Sequence, residues 1–419
     1  MKDSVISRID WMSLSLYLIL VVFGLLNVYS ATYDETSQSI LNLNSPIGKQ
    51  LFFTILSFIA GGFLLALRVK FFEQFSFPVY LLSVLSLIGL FVFGKTISGA
   101  RSWYGLGGFG LQPAEFAKMA TAIMLANFIS QLQTNLKQFR SLLKIAAIII
   151  VPALLIIAQP DPGSALVFGA FIFVLFREGL NVYFLLLLLG ALVLFIATLL
   201  FAIPVVISLI IVILSSIFYL LKRMKYKPTL LPFILSGVMA TGFTLSVDFI
   251  FNDIFEQRHR DRFNIILGKE VDTQGVGYNI NQSKIAIGSG GFSGKGFLKG
   301  TQTKGDFVPE QHTDYIFSTI GEEWGFLGSF FVILCFALLI MRIIWQAEKQ
   351  TSQFRRVFSY SVGSILFIHF LVNIGMSLGL IPTIGIPLLL ISYGGSSLLA
   401  TSIMFFIYLN MDANRLGDW

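Results

Sequence analysis

The chain has 419 residues, of which 56% are hydrophobic and only 12% charged, with a mean hydropathy of +0.82. A soluble domain carries roughly 25% charged residues, so the composition excludes a soluble enzyme and indicates an integral membrane protein. The net charge of +7 is scattered between apolar runs, which excludes a nucleic-acid footprint, and the single cysteine, Cys335, excludes an internal disulfide or a cysteine metal site.

A helix needs about 20 apolar residues to cross a bilayer. The short polar N-terminus, residues 1–10, leads into a first span at Trp11–Ser30. No small-residue cleavage site follows it, so it reads as a retained helix rather than a signal peptide. Further spans are predicted at Leu51–Leu67, Val79–Gly94, Pro113–Gln131, Leu142–Ala158 and Ser164–Phe176. A dense group follows at Val182–Ala202, Pro204–Leu221 and Leu230–Ile250, and Phe326–Ile344, Val357–Leu378 and Ile386–Met411 complete the set. The expected fold is an all-α polytopic membrane protein with about twelve transmembrane helices. Residues 1–250 hold the first helices, 251–325 a large loop, and 326–419 the last helices. No internal repeat is visible, which disfavours a secondary transporter.

Lysine and arginine concentrate on cytoplasmic connections. With the N-terminus (Lys2, Arg8) in the cytoplasm, every second connection is basic: Arg68/Lys70, Lys137/Arg140, Arg177, Lys222/Arg223/Lys225/Lys227, Arg342/Lys349/Arg355/Arg356 and the C-terminal Arg415. Both termini are then cytoplasmic and the large loop is extracytoplasmic. That points the chemistry at an outside substrate.

Charges inside membrane spans are costly and are functional candidates by default. Glu115 and Lys118 open the fourth span three residues apart, where they can pair on one helix face. They read either as a structural ion pair or as the polar wall of a cavity opening outward. Asp161, in Gln159-Pro160-Asp161-Pro162-Gly163-Ser164, is placed to cap the next helix and to line the same cavity. Arg101, in an outer connection, reads as a solvated arginine or as a bidentate phosphate contact. In the large loop Asp272 stands before a glycine-rich turn as a candidate general base. His312 and Asp314 are a weak metal signal, since zinc takes three or four ligands. Glu322 and Glu323 are expected to favour the N-terminus of the span they precede. The glycines from 288 to 300 lack a phosphate-loop ending. Ser392-Tyr393-Gly394-Gly395-Ser396-Ser397 permits close helix packing or a broken helix at a cavity.

Together Gly99–Trp103, Gln112–Lys118, Gln159–Asp161, Gly275–Ile287, Pro309–Gly325 and Asn373–Ser397 resemble the SEDS family (shape, elongation, division and sporulation) of bacterial peptidoglycan polymerases. Gly300–Thr303 with Phe307–Asp314 is more similar to the rod-shape (elongation) branch than to the division branch. The resemblance implies a glycosyltransferase that joins the disaccharide units of lipid II on the outer face of the bacterial cytoplasmic (inner) membrane, with Asp272 as the essential base and inversion at the anomeric carbon. It carries Arg101, Glu115, Lys118, Asp161, Lys284, His312, Asp314 and Ser392 over as substrate-binding candidates. It also implies a divalent cation (Mg2+ or Mn2+), a class B penicillin-binding protein as partner, and the elongation machinery around both. Departures are Thr273 after the aspartate, Pro162 in place of leucine, Leu389 in place of proline, and a surplus of two spans between Val182 and Ile250 over a family pattern of roughly ten. None removes a chemical group. A lipid II flippase, a catalytically idle scaffold and a division-type polymerase are the alternatives.

Overall fold

Inside a bilayer every backbone N–H and C=O must bond within the chain, so the apolar runs fold as helices. A computed structural model describes residues 8–33, 42–97, 99–131, 135–254, 257–267 and 276–415. The chain divides into two compact units: Met1–Gly179 with Asn279–Trp419, and Leu180–Tyr278.

The first unit begins with α1 (Trp11–Ala31), α2 (Pro46–Ala66), the short α3 (Val69–Gln74) and α4 (Ser76–Phe93). A small antiparallel sheet follows, in the order β1 (Lys95–Ile97), β2 (Ala100–Leu106), β3 (Phe109–Leu111). Then come α5 (Pro113–Ser130), α6 (Phe139–Ile157), α7 (Pro162–Leu166), a 3-10 turn and α8 (Phe171–Arg177). The second unit holds α9 (Val182–Leu200), α10 (Ile203–Arg223), α11 (Leu230–Phe249), a π turn and α12 (Gln257–Ile266). The first unit resumes within α13 (Val276–Ser289) and continues through α14 (Thr301–Lys304), α15 (Ile316–Glu348), α16 (Gln353–Ser377) and α17 (Gly395–Ala413).

Among the described residues ten helices are long and apolar enough to cross a membrane, against the expected twelve. The two that fall short of that measure are α5, which carries Glu115 and Lys118, and the 16-residue Pro162–Arg177 stretch that follows Asp161. Polar groups lower the hydropathy of the first, and a 3-10 turn interrupts the second.

The centre of the first unit is α16 and α17, buried over 78% and 89% of their apolar windows, against 22% for α4 and α6. α17 packs along α2, and α16 lies between α15 and α5. Gly61 of α2 makes the first contact possible, because a Cβ there would sit 2.4 Å from Phe406 Cδ2. Tyr17 stacks on Phe405 with ring centroids 4.6 Å apart, and its hydroxyl lies 2.8 Å from Ser402 Oγ. In the second unit Leu199, Val247 and Phe251 form the core, with Phe195, Phe263 and Leu267 against them.

Two spans differ most from their expected boundaries. α15 starts ten residues before Phe326, at Ile316, and breaks at Gly325, where φ is 63° and ψ is −156°. The glycine cluster repairs the break. Phe326 N donates to Gly291 O (2.9 Å) and Leu327 N to Phe292 O (3.2 Å), while Lys295 N and Gly296 N donate to Glu322 O and Glu323 O (3.0 and 2.9 Å). A Cβ on Gly325 would lie 2.3 Å from Gly294 N. Only glycine tolerates that backbone region, so Gly325→Ala is expected to cost at least about 2 kcal/mol. A thermal melt of the detergent-solubilised protein checks this. The last helix begins at Gly395 rather than Ile386, and residues 378–394 are non-helical. Pro382 and Pro387 lack N–H donors, and Gly379 and Gly385 take φ of 70° and 71°.

Glu322 also differs from expectation. Its carboxylate serves another helix, accepting from Thr301 N and Gln302 N (2.8 Å each) and Thr303 N (2.9 Å) at the start of α14, and from Lys295 Nζ (2.7 Å). Those N–H groups have no intrahelical partner. The nearer target wins over the helix's own dipole.

Candidate active site

Gln112-Pro113 starts α5, since proline suits the first helical turn. One turn in, Glu115 and Lys118 are buried, 4% and 2% exposed. Lys118 Nζ donates to Glu115 Oε1 at 2.8 Å, and Ser397 Oγ from α17 donates to Glu115 Oε2 at 3.2 Å. The ammonium also lies 2.9 Å from His369 Nε2 on α16, and His369 Nδ1 lies 3.0 Å from the Pro387 carbonyl. A carbonyl only accepts, so Nδ1 carries the proton and Nε2 receives the ammonium. The result is a closed chain: hydroxyl, carboxylate, ammonium, neutral imidazole, backbone carbonyl. The cavity beside it, lined by Ile365, Leu389 and Met404 among others, is only about 10 Å³, room for about one water. The pair is thus enclosed, and does not wall a cavity open to the outside.

The Asp161 turn joins this site. Asp161 caps α7, accepting from Ser164 N (3.0 Å) and Ser164 Oγ (2.9 Å), and also accepts from Gln112 Nε2 (3.0 Å) at the start of α5. Gly163 lies so close to the non-helical segment that a Cβ would be 2.2 Å from Ile384 O. Arg101 N donates to Gln159 O (3.1 Å) in the same turn. The Arg101 guanidinium is exposed, with Nε on Gly94 O (3.1 Å) and Nη2 on Val92 O (3.0 Å), where it satisfies the C-terminal carbonyls of α4.

The non-helical segment is held at successive residues. Asn373 Nδ2 donates to Ile386 O and to Asp314 O (2.8 Å each), His369 holds Pro387 O, and Leu388 N donates to Ser392 Oγ (2.8 Å). Gln50 of α2 brackets its end, donating to Ser392 O (3.3 Å) and accepting from Gly394 N (3.1 Å). Asp314 Oδ2 faces Gly385, 3.5 Å from where a Cβ would stand. Tyr393 N donates to His312 O at 2.8 Å, and the two rings lie 5.5 Å apart. Lys284 lies over Gly379, with Nζ 2.6 Å from the position of a Cβ.

Burial holds the His312 imidazole below its ordinary value, although Glu310 and Asp306 pull the other way. The unfolded chain therefore binds the proton more readily. The stability this contributes is present above the ordinary histidine value of about 6.5 and is lost as pH falls below it. Protection factors across residues 309–315, which correct for the intrinsic pH dependence of amide exchange, are expected to fall between pH 7.5 and 5, and His312→Gln to abolish that fall.

The structure thus brings Glu115, Lys118 and Asp161 to one end of the non-helical segment and His312, Asp314 and Ser392 along its length. Lys284 and Arg101 lie at the margins. Asp272 lies outside the described residues. Among the described residues no group of three or more His, Cys, Asp or Glu side chains converges to hold a metal. His369, Ser397, Gln112 and Gln50 were not singled out from the sequence as site residues. His369 carried a signal: it is one of three histidines and lies within an apolar span.

The chain matches the model of the FtsW–RodA–SpoVE "Cell cycle protein" family over residues 10–223 and 208–416. It is 32% identical over 411 residues to "Peptidoglycan glycosyltransferase MrdB" of Escherichia coli K12, covering 97% of this chain and 94% of that one. It is 30% identical over 443 residues to "Peptidoglycan glycosyltransferase RodA" of Treponema pallidum, covering 98% and 99%. Among solved structures it superimposes with a TM-score of 0.72 on a chain of a peptidoglycan synthase complex that coordinates polymerization and crosslinking, at 24% identity over 98% of this chain and 99% of that one. On the crystal structure of the Thermus thermophilus rod shape determining protein RodA the TM-score is 0.62, at 22% identity over 98% of each chain. The fold is shared with both. With a family model spanning nearly its whole length and relatives at this identity, the chain belongs to the FtsW–RodA–SpoVE family, the SEDS family.

Proposed function

We propose that this protein is a peptidoglycan glycosyltransferase of the elongation type, polymerising lipid II into glycan strands. One structural observation carries the reading furthest. Segments separated by up to 282 residues in sequence (Gln112–Lys118, Gln159–Ser164, Asp314 and Asn373–Ser397) converge on one non-helical strip between membrane helices. Irregular backbone at membrane depth is tolerated only where protein or a cavity satisfies it. Here side chains of neighbouring elements hold Ile386 O, Pro387 O, Ser392 O and Gly394 N, and that of Ser392 holds Leu388 N, which supports reading the strip as a preorganised frame beside the site of the lipid-linked sugar.

In the proposed reaction Asp272 takes the proton from the acceptor sugar hydroxyl as that oxygen attacks the anomeric carbon of the donor. The bond to the lipid pyrophosphate breaks with inversion, and the pyrophosphate leaves as an anion. Lys118 gives two of its three N–H groups to Glu115 and His369, which supports a positioning role: it fixes His369, which fixes Pro387. Exposed cations such as Arg101 and Lys284 are the candidates for the pyrophosphate oxygens. A divalent cation serving the reaction would be held chiefly by that pyrophosphate. A class B penicillin-binding protein as partner is supported by the fold shared with a peptidoglycan synthase complex. Cytoplasmic termini, and a bacterial inner membrane with the reaction on its outer face, rest on the distribution of lysine and arginine.

The test supplies lipid II and Mg2+ or Mn2+ to the protein purified with its candidate partner, moenomycin present against contaminating transglycosylases, and resolves glycan strands on a gel. Strands are expected. No strands, with fluorescent lipid II crossing liposomes instead, would replace the polymerase with a flippase.

A further inference from the structure

The second unit contains an apolar groove outside the residues assigned to the proposed reaction. α10 and α11 form an antiparallel pair whose contact leaves a groove of about 660 Å³. Ile210, Leu214 and Phe218 line it from α10, and Phe233, Gly237 and Thr241 from α11. The lining runs along α11 from Leu230 to Leu245, roughly 22 Å at 1.5 Å per residue. That exceeds the hydrocarbon depth of one leaflet, roughly 15 Å or half the bilayer core.

Beyond one end of the groove the chain is strongly charged. Phe218 and Leu230 close it against the α10–α11 turn, where Lys222, Arg223, Lys225 and Lys227 are all exposed and no acidic residue stands between 219 and 247. Tyr219 and Tyr226, 64% and 63% exposed, flank the same turn. Tyrosines with an apolar body and a polar tip mark the headgroup level of a membrane. The turn is also the one that the lysine and arginine distribution assigns to the cytoplasmic leaflet, whose anionic lipids such clusters attract by about 1 kcal/mol per cation.

We propose that this groove holds an anionic diacyl phospholipid of the phosphatidylglycerol type, acyl chain along Leu214, Phe218, Phe233 and Gly237, headgroup phosphate on Lys222, Arg223, Lys225 and Lys227. The groove alone would accept any apolar chain. Four cations at its mouth select the charge. Gly237 keeps it open: a Cβ there would stand 3.3 Å from Leu214 Cδ1, so a larger side chain fills the groove by displacing only the end of a flexible leucine.

Native mass spectrometry of the detergent-solubilised full chain, titrated with phosphatidylglycerol or with phosphatidylcholine of the same acyl chains, tests it. Wild type is expected to retain the anionic lipid at least tenfold better. Lys225→Gln/Lys227→Gln should bring the two lipids within about threefold, and Gly237→Leu should lose both adducts while melting within a few degrees of wild type. The site is overturned if wild type prefers the anionic lipid less than twofold, if the double glutamine variant keeps the full preference, or if a folded Gly237→Leu retains the lipid. Equal binding of inorganic phosphate would overturn it too, leaving a free-anion site with no role for the groove. A dimer formed through this face in place of lipid binding would do the same.

Discussion

Asp272→Ala is expected to abolish glycan strand formation while leaving the melting temperature and partner binding at wild-type values. A positioned general base contributes about 10²–10⁴-fold, so the residual rate should lie at least about a hundredfold below wild type. Asp272→Asn keeps the shape and removes the basicity, and should be as inactive as the alanine variant. If asparagine retained activity, the residue would be shaping the loop rather than accepting a proton. Strands from a stably folded Asp272→Ala would remove Asp272 from the reaction and leave the family resemblance without its base.

Lys118→Met is expected to be among the most destabilising single substitutions in the chain. It removes one charge of a pair whose side chains are each 3% exposed, leaving the Glu115 carboxylate with Ser397 as its remaining partner. Breaking a buried pair in this way costs about 3–5 kcal/mol, whereas removing both charges is far milder. Glu115→Gln/Lys118→Met should therefore melt well above Lys118→Met alone, with a coupling of at least about 1 kcal/mol in the double-mutant cycle. Activity should not return with stability. In the double variant His369 Nε2 still lacks its ammonium, so Pro387 loses its fixed partner and the non-helical strip loosens. Recovery of both stability and polymerisation would mean that the pair is only a structural brace.

What the sequence made legible follows from where its signals are local. Apolar runs of sufficient length have one solution in lipid, so the helices lie close to their expected places. Glu115 and Lys118 were readable because three residues of helix bring them together by geometry alone. The break at Gly325 was not readable, because it depends on Gly291 and Phe292 supplying carbonyls from another part of the loop. The role of Glu322 is hidden for the same reason, its partners being some twenty residues upstream. His369 is the instructive omission. A histidine within an apolar span was visible in the sequence, but its connection to Lys118 crosses 251 positions and exists only in three dimensions.

The clasp between the glycine cluster and Gly325 has a consequence for engineering. Residues 290–296 would pass for a tolerant, glycine-rich surface loop suited to an epitope tag or a protease site. Yet their backbone groups complete the broken α15, and two of their glycines would place any Cβ about 2 Å from a carbonyl of that helix, 1.9 Å for Gly290 and 2.1 Å for Gly294. A tag inserted there would strip N–H and C=O groups at the helix break of their partners. Fusion proteins for imaging or purification therefore belong elsewhere on the chain.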